Sequence, residues 1–213
     1  QRYERLYSGV FFRRFVLGQW VAAEGRVYDF FDAANAPPPP KPPFAQWYIS
    51  CDYGTVNPAS FGLWGRKDGV WYRVKEFYFD SRREMRQMTD ADYARALRTL
   101  AGEKTITAVI VDPSAASFIE LLRREGWNVK RADNDVLSGI RHTSDLLKEG
   151  KLVICDTCSD CLREMEQYVW DPKAGKDAVK KEHDHAMDDM RYFVATVLCR
   201  SSTPVAAVAV RRG

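Results

Sequence analysis

The first clear hydrophobic pattern begins at Trp47, where WYISCDYG reads as a β-strand that stops at Asp52 and runs into turn residues. In ASFGLWGRKDGVWYRVKEFYFD two further strands flank Arg66-Lys67-Asp68-Gly69, and the Asp-Gly pair predicts a hairpin turn. Together they predict a three-stranded antiparallel meander. Residues 89–101, TDADYARALRTLA, open on Thr-Asp capping chemistry and place Tyr93, Ala96, Leu97 and Leu100 at helical spacing. ITAVIVDPS is nearly continuous in apolar residues, as in a strand buried on both faces, and it ends at Asp112. A helix from Ser117 to Glu125, a short strand around Asn128–Arg131 and a helix over about Val136–Glu149 follow. KLVIC reads as a strand, residues 159–170 as an amphipathic helix, and Asp184 to Cys199 as the last helix. The order β-β-β-α-β-α-β-α, with helices after it, predicts an α/β fold: a sheet part antiparallel and part parallel, flanked by helices.

Outside this stretch the pattern is weaker. Residues 1–36 are aromatic-rich and irregular, and Phe11, Phe12, Phe15, Val16 and Trp20 need a surface to pack on. Six of the ten prolines fall between Pro37 and Pro43, a semi-rigid polyproline spacer. These features divide the chain into a linker or tail over 1–43, an ordered domain over 44–200 and a C-terminal tail over 201–213.

At 213 residues and 46% hydrophobic, the chain can bury one sizeable core. Its formal charge of +3 permits a nucleic-acid partner without requiring one. No apolar run is long enough to span a bilayer, and the start has no signal-peptide pattern. The lack of an initiator Met leads us to expect a piece of a longer protein. Five cysteines, an odd number, favour reduced thiols over a disulfide framework.

The chemistry concentrates in carboxylates. Asp52 and Asp112 each end a strand, and the late helix carries Asp184 and Asp188 four residues apart on one flank. With Met187, Met190, Val194, Val197 and Leu198 facing the core, that phase turns Asp189 toward solvent. Any one of these aspartates reads equally well as a turn former or helix cap. Two strand-end carboxylates with one helical carboxylate, however, make up what a two-metal phosphoryl-transfer site needs. Asp188 is the better third ligand, Asp184 being able to cap the helix instead. His185 is a ligand, a residue orienting one, or a surface histidine. Lys173, Lys176, Lys180 and Lys181, just before this helix, are candidates to grip DNA phosphates or simply a solvated loop. Cys155, Cys158 and Cys161 have C-x-x-C-x-x-C spacing, which suggests a zinc module if Cys199 or His142 completes it.

The motifs SGVFFRRFVLGQWVAAEGRVYDFF, YISCDYGTVNPASFGLW, AVIVDPSAASFIELLRREGW and EQYVWDPKAG…EHDHAMDDMRYF resemble the C-terminal nuclease domain of the large terminase subunit of tailed bacteriophages and prophages. The resemblance spans most of residues 5–195 and implies an RNase H-like fold. It also implies a metal-dependent endonuclease that cuts double-stranded viral DNA concatemers during packaging. Asp52, Asp112 and Asp188 would bind two divalent cations, Mg²⁺ or Mn²⁺, with Asp184 and His185 in support. The small terminase subunit, the portal protein and a covalently linked ATPase motor are the implied partners, in the cytoplasm of an infected or lysogenic bacterium. No G-x-x-x-x-G-K-[ST] phosphate loop occurs here, so the motor is absent from this chain. Asp189 departs from the family pattern, where alanine is common, and the helix phase makes the change harmless. The fold also serves resolvases, transposases and ribonucleases H, which remain the alternative readings.

Overall fold

The computed structural model describes residues 24–174 and 177–199. Strands β1 (Gln46–Asp52), β2 (Ala59–Lys67), β3 (Val70–Phe79), β4 (Ala108–Val111), β5 (Val129–Arg131) and β6 (Leu152–Ile154) form one sheet in the order β5-β4-β1-β2-β3-β6. β1/β2 and β2/β3 are antiparallel, and β1/β4, β4/β5 and β3/β6 are parallel. The mixed sheet read from the sequence is therefore present. Its β2–β3 turn has Asp68 and Gly69 at φ 51° and 81°, the double positive φ of a primed hairpin turn.

Helices α1 (Asp90–Ala101) and α2 (Ala116–Arg124) cover one face of the sheet. Thr89 caps α1 through a reciprocal box with Asp92. Helices α3 (Val136–Lys148), α4 (Ser159–Gln167) and α5 (His185–Phe193) cover the other face. Side-chain alternation along β1 sends Ile49 and Cys51 into the first core and Tyr48 into the second. Ser50 and Asp52 share the face of Tyr48 and so look toward α5.

The last helix differs from its expected form. α5 ends at Phe193, and the chain continues in π-helical turns over Val194–Cys199. Every residue from Ala186 to Phe193 is buried, because α5 lies against β1 and β2 with α3, α4 and the π-turns around it. Asp189, expected to face solvent, is fully buried. The 3.6-residue phase assigns a polar residue outward only when the helix has an outside, and this one has none.

α4 stops at Gln167, three residues earlier than expected, because the next residues pair as strands. Val169 bridges Arg26, and Trp170 bridges Val179. Asp171 N donates to Ala178 O (2.8 Å) and Lys180 N to Val169 O (3.0 Å), so the polar segment before α5 is a hairpin at its base. Residues from 24 onward already pack on the domain: Val27 and Tyr28 are buried in the second core, and Asp156 N donates to Pro37 O (3.0 Å). Phe11, Phe12, Phe15, Val16, Trp20, Lys176 and the tail from residue 201 lie outside the described residues.

Candidate active site

Parallel pairing of β1 with β4 aligns Cys51 with Val111, so the next residue of each strand, Asp52 and Asp112, emerges at the same sheet edge. Asp112 N donates to Cys51 O across the gap (3.3 Å). Over this edge α5 brings Asp184, His185 and Asp188. All five side chains line one cleft of about 1010 Å³, together with Arg82, Arg83, Arg163, Lys181 and Tyr192. The structure thus brings together Asp52, Asp112, Asp184, His185 and Asp188, as the sequence suggested. Of the candidate lysines among the described residues, Lys173, Lys180 and Lys181, only Lys181 lines the cleft.

Each carboxylate is tied to a protein donor. His185 Nδ1 lies 2.9 Å from Asp52 Oδ2. Burial pushes the Asp52 carboxyl up to about 7, against the His185 hydrogen bond. Burial of the imidazole opposes its charge, but the hydrogen bond and charge of Asp52 together with the charges of Glu164 and Asp184 outweigh that, and His185 is shifted up as well. Tyr192 Oη donates to Asp112 Oδ2 (2.6 Å) and Ser114 N to Oδ1 (2.7 Å). Burial works against the Asp112 charge, yet these two donors and Arg191 hold its carboxyl below the ordinary range. Asp188 accepts from Arg191 Nη2 (2.9 Å) and Lys181 Nζ (3.3 Å), and Lys181 also bridges to Asp184 (3.2 Å). Asp184 precedes α5 without capping it through its side chain.

Among the described residues, no three His, Cys, Asp or Glu side chains form a group that could hold an ion as they stand. The donor chemistry nonetheless suits a hard divalent cation. The cleft offers carboxylate oxygens and the imidazoles of His183 and His185, and the buried Asp184 Oδ2 has the Lys181 ammonium at 3.2 Å. The Lys181 ammonium spans two of these carboxylates, as a bridging cation would.

The three cysteines do not come together as a zinc site among the described residues. Cys155, Cys158 and Cys161 are buried thiols that make no metal-holding group with any described residue. Cys158 Sγ donates to Arg73 O (3.3 Å), and His142 pairs with Ser138. Burial pushes Cys155 and Cys158 up to about 12, the behaviour of inert core thiols.

Sequence reasoning missed the residues that hold α5 in place. Arg73 on β3 forks onto Asp189, with Nη1 to Oδ1 and Nη2 to Oδ2 (2.9 Å). Ser50 Oγ donates to Asp189 Oδ1 (2.9 Å), Ser60 Oγ to Oδ2, and Trp64 Nε1 to Ser50 Oγ (2.7 Å). Gly62 leaves room for the pair, since a Cβ there would lie 2.5 Å from Arg73 Nη1 and 3.0 Å from Asp189 Oδ1. Its isolated position within an otherwise good strand was the one signal of a close approach. Glu164 on α4, also fully buried, accepts from Tyr78 Oη (2.5 Å) and from Ala186 N (2.6 Å) in the first turn of α5. It satisfies an N–H that the helix leaves unpaired and puts negative charge at the helix N-terminus. Glu164→Ala is expected to lower stability by about 1–3 kcal/mol, read as a lowered urea midpoint at unchanged m-value.

The terminase RNase H-like domain family matches residues 58–196. A large terminase from a thermophilic bacteriophage, solved in complex with ADP, is 47% identical over 93% of this chain and 51% of its own, with a TM-score of 0.89. The large terminase subunit of Escherichia phage T5 is 24% identical over 133 residues, which are 59% of this chain and 30% of that protein. The chain therefore spans about half of the ADP-bound terminase and under a third of the T5 one. The P22 large terminase nuclease domain shares the fold at 18% identity over 81% of this chain and 92% of its own, with a TM-score of 0.66. The nuclease of thermophilic phage G20c, solved with bound magnesium, shares it at 14% identity over 78% of this chain and 95% of its own, with a TM-score of 0.59.

Proposed function

The chain belongs to the terminase RNase H-like domain family, and on that premise we propose that it is a divalent-cation-dependent endonuclease that cuts duplex DNA. The supporting observation is the convergence of Asp52, Asp112, Asp184, His185 and Asp188 on one cleft. Asp52, Asp112 and Asp188 would hold the cations, with Asp184 and His185 beside them. Binding of magnesium and of cobalt by the G20c nuclease supports a divalent ion here. Such ions, when bound, supply an activated water and stabilise charge on the leaving oxygen of a phosphodiester.

The residues of the chain do the rest. His185 holds Asp52 through Oδ2, and Tyr192 and Ser114 hold Asp112, so both strand-end carboxylates are aimed before substrate arrives. Arg82, Arg83 and Arg163 on the cleft rim supply charge for DNA phosphates, and Lys181 can move from its carboxylates to a phosphate oxygen. Among the described residues no element presents a base-reading helix to the cleft, which supports cutting with little sequence preference. In the whole protein this activity would sever packaged DNA concatemers in the host cytoplasm, alongside an ATPase motor, a small subunit and a portal.

Supercoiled-plasmid cleavage tests the reading. Nicked and linear DNA is expected with Mn²⁺ or Mg²⁺ and none with EDTA. Cutting that persists in EDTA sinks the proposal, and preference for an RNA–DNA hybrid over plasmid duplex moves it to a ribonuclease H.

A further inference from the structure

The two cations on Asp188 differ in kind. Lys181 reaches Oδ2 from a side chain that is 63% exposed, whereas Arg191 reaches Oδ1 from one that is 3% exposed. The Arg191 stem lies in a notch on α3, where a Cβ on Gly139 would sit 2.4 Å from its Cγ. Its Nε and Nη1 are buried without hydrogen-bond partners, as is Tyr168 Oη, and the buried Tyr28 and Thr143 hydroxyls have no partner beyond each other. These groups form one neighbourhood. The Arg191 charge acts on both phenols, Thr143 lies beside Tyr28, and the Tyr28 and Tyr168 rings are 6.0 Å apart. Buried polar groups are as a rule satisfied by one another, so hydroxyls beside a guanidinium with two unpaired nitrogens are its natural partners.

Tyr28 does not belong to the helices around it. It comes from the segment before the proline spacer and is seated by backbone pairing. Val27 N donates to Tyr168 O (2.9 Å) and Trp170 N to Gly25 O (3.0 Å).

Resting on the reading of Asp188 as a cation ligand, we propose that Arg191 is a positioning residue that fixes Oδ1 and so aims Oδ2 into the cleft, and that the buried hydroxyls of Tyr28, Thr143 and Tyr168 hold Arg191 in place. The affinity of the centre for a divalent cation then depends on how the segment around Tyr28 is seated. Changes in the chain upstream of that segment reach the site by this route.

Calorimetric titration of the 213-residue chain with MnCl₂ tests this, using wild type, Tyr28→Phe, Arg191→Lys, Arg191→Gln and Asp188→Asn, each shown folded by circular dichroism. Charge alone and positioning predict opposite signs. Removing the Arg191 charge relieves repulsion of Mn²⁺, so a purely electrostatic role makes Arg191→Gln bind more tightly. Positioning instead weakens both Arg191 variants by roughly ten-fold, the usual size of a lost outer partner of a ligand. Tyr28→Phe removes one hydroxyl and no charge, and it is expected to weaken binding by a smaller factor at an unchanged melting temperature. Tighter binding by Arg191→Gln, or wild-type affinity in Tyr28→Phe, overturns the proposal even where Asp188→Asn loses Mn²⁺ as the cation reading requires. If wild type itself takes up no Mn²⁺, that underlying reading falls and takes this one with it. Should the Arg191 variants fail to fold, Tyr28→Phe alone decides.

Discussion

Asp189→Ala is expected to destabilise the protein by about 3–5 kcal/mol, the usual result of stripping one partner from a buried ion pair. For a chain of this size that is a fall in melting temperature of roughly 6–20 °C. The cost does not come from losing an attraction. Arg73 and Asp189 are both at 0% side-chain exposure, so the substitution leaves a guanidinium inside the protein with only the longer contact to Glu76 (3.4 Å) as counter-charge. It also leaves Ser50 and Ser60 without the carboxylate that accepts from both. In the wild type the Asp189 charge offsets the burial penalty on Arg73, and the substitution takes that compensation away. Replacing both partners with apolar residues of similar volume, Arg73→Met with Asp189→Leu, is expected to recover much of the loss. Thermal unfolding of the two single variants and the double variant measures the coupling directly. Wild-type stability in Asp189→Ala would mean that the network does not hold α5 to the sheet.

Asp189 also marks where the sequence stopped being informative. Asp52 and Asp112 were legible because each closes a β-rich run and is followed by turn residues, a local pattern. The Asp68-Gly69 turn and the Thr89 cap were legible for the same reason. The phase of α5 was not. Periodicity reports a helix with one wet face, and Ala186–Phe193 has none. Asp189 is satisfied by partners 116 and 139 positions away, Arg73 and Ser50, and no local window contains such information. The pairing of β6 beside β3 was hidden likewise, since the two strands are far apart in the chain. The arginines of the cleft rim escaped notice because they come from separate segments, around residue 82 and on α4, while the conspicuous lysine run contributes, among its described residues, Lys181 alone.

Asp52→Asn, Asp112→Asn and Asp188→Asn are each expected to reduce plasmid cleavage by about a thousand-fold or more, equivalent to some 4 kcal/mol of transition-state stabilisation. Asparagine keeps the size of the side chain and one acceptor oxygen but removes the charge a hard cation requires. The three should differ in stability, and that difference separates catalysis from scaffolding. Asp112 is only partly buried, and its partners are a phenol and a backbone amide, so its variant should melt near wild type. Asp52→Asn removes a carboxyl that burial already pushes up to about 7 and should also be tolerated. Asp188→Asn leaves Arg191, whose Nε and Nη1 already lack partners, without its anion, and should melt lower. Asp189→Asn gives the contrasting pattern, in which stability falls first and cutting declines only as the fold does. Measuring both quantities on all four variants assigns the adjacent aspartates. Active Asp188→Asn beside inactive but fully stable Asp189→Asn would reverse their roles. Loss of cutting at wild-type melting temperature in Asp112→Asn is the cleanest sign that the strand-end carboxylates act on substrate rather than on the fold.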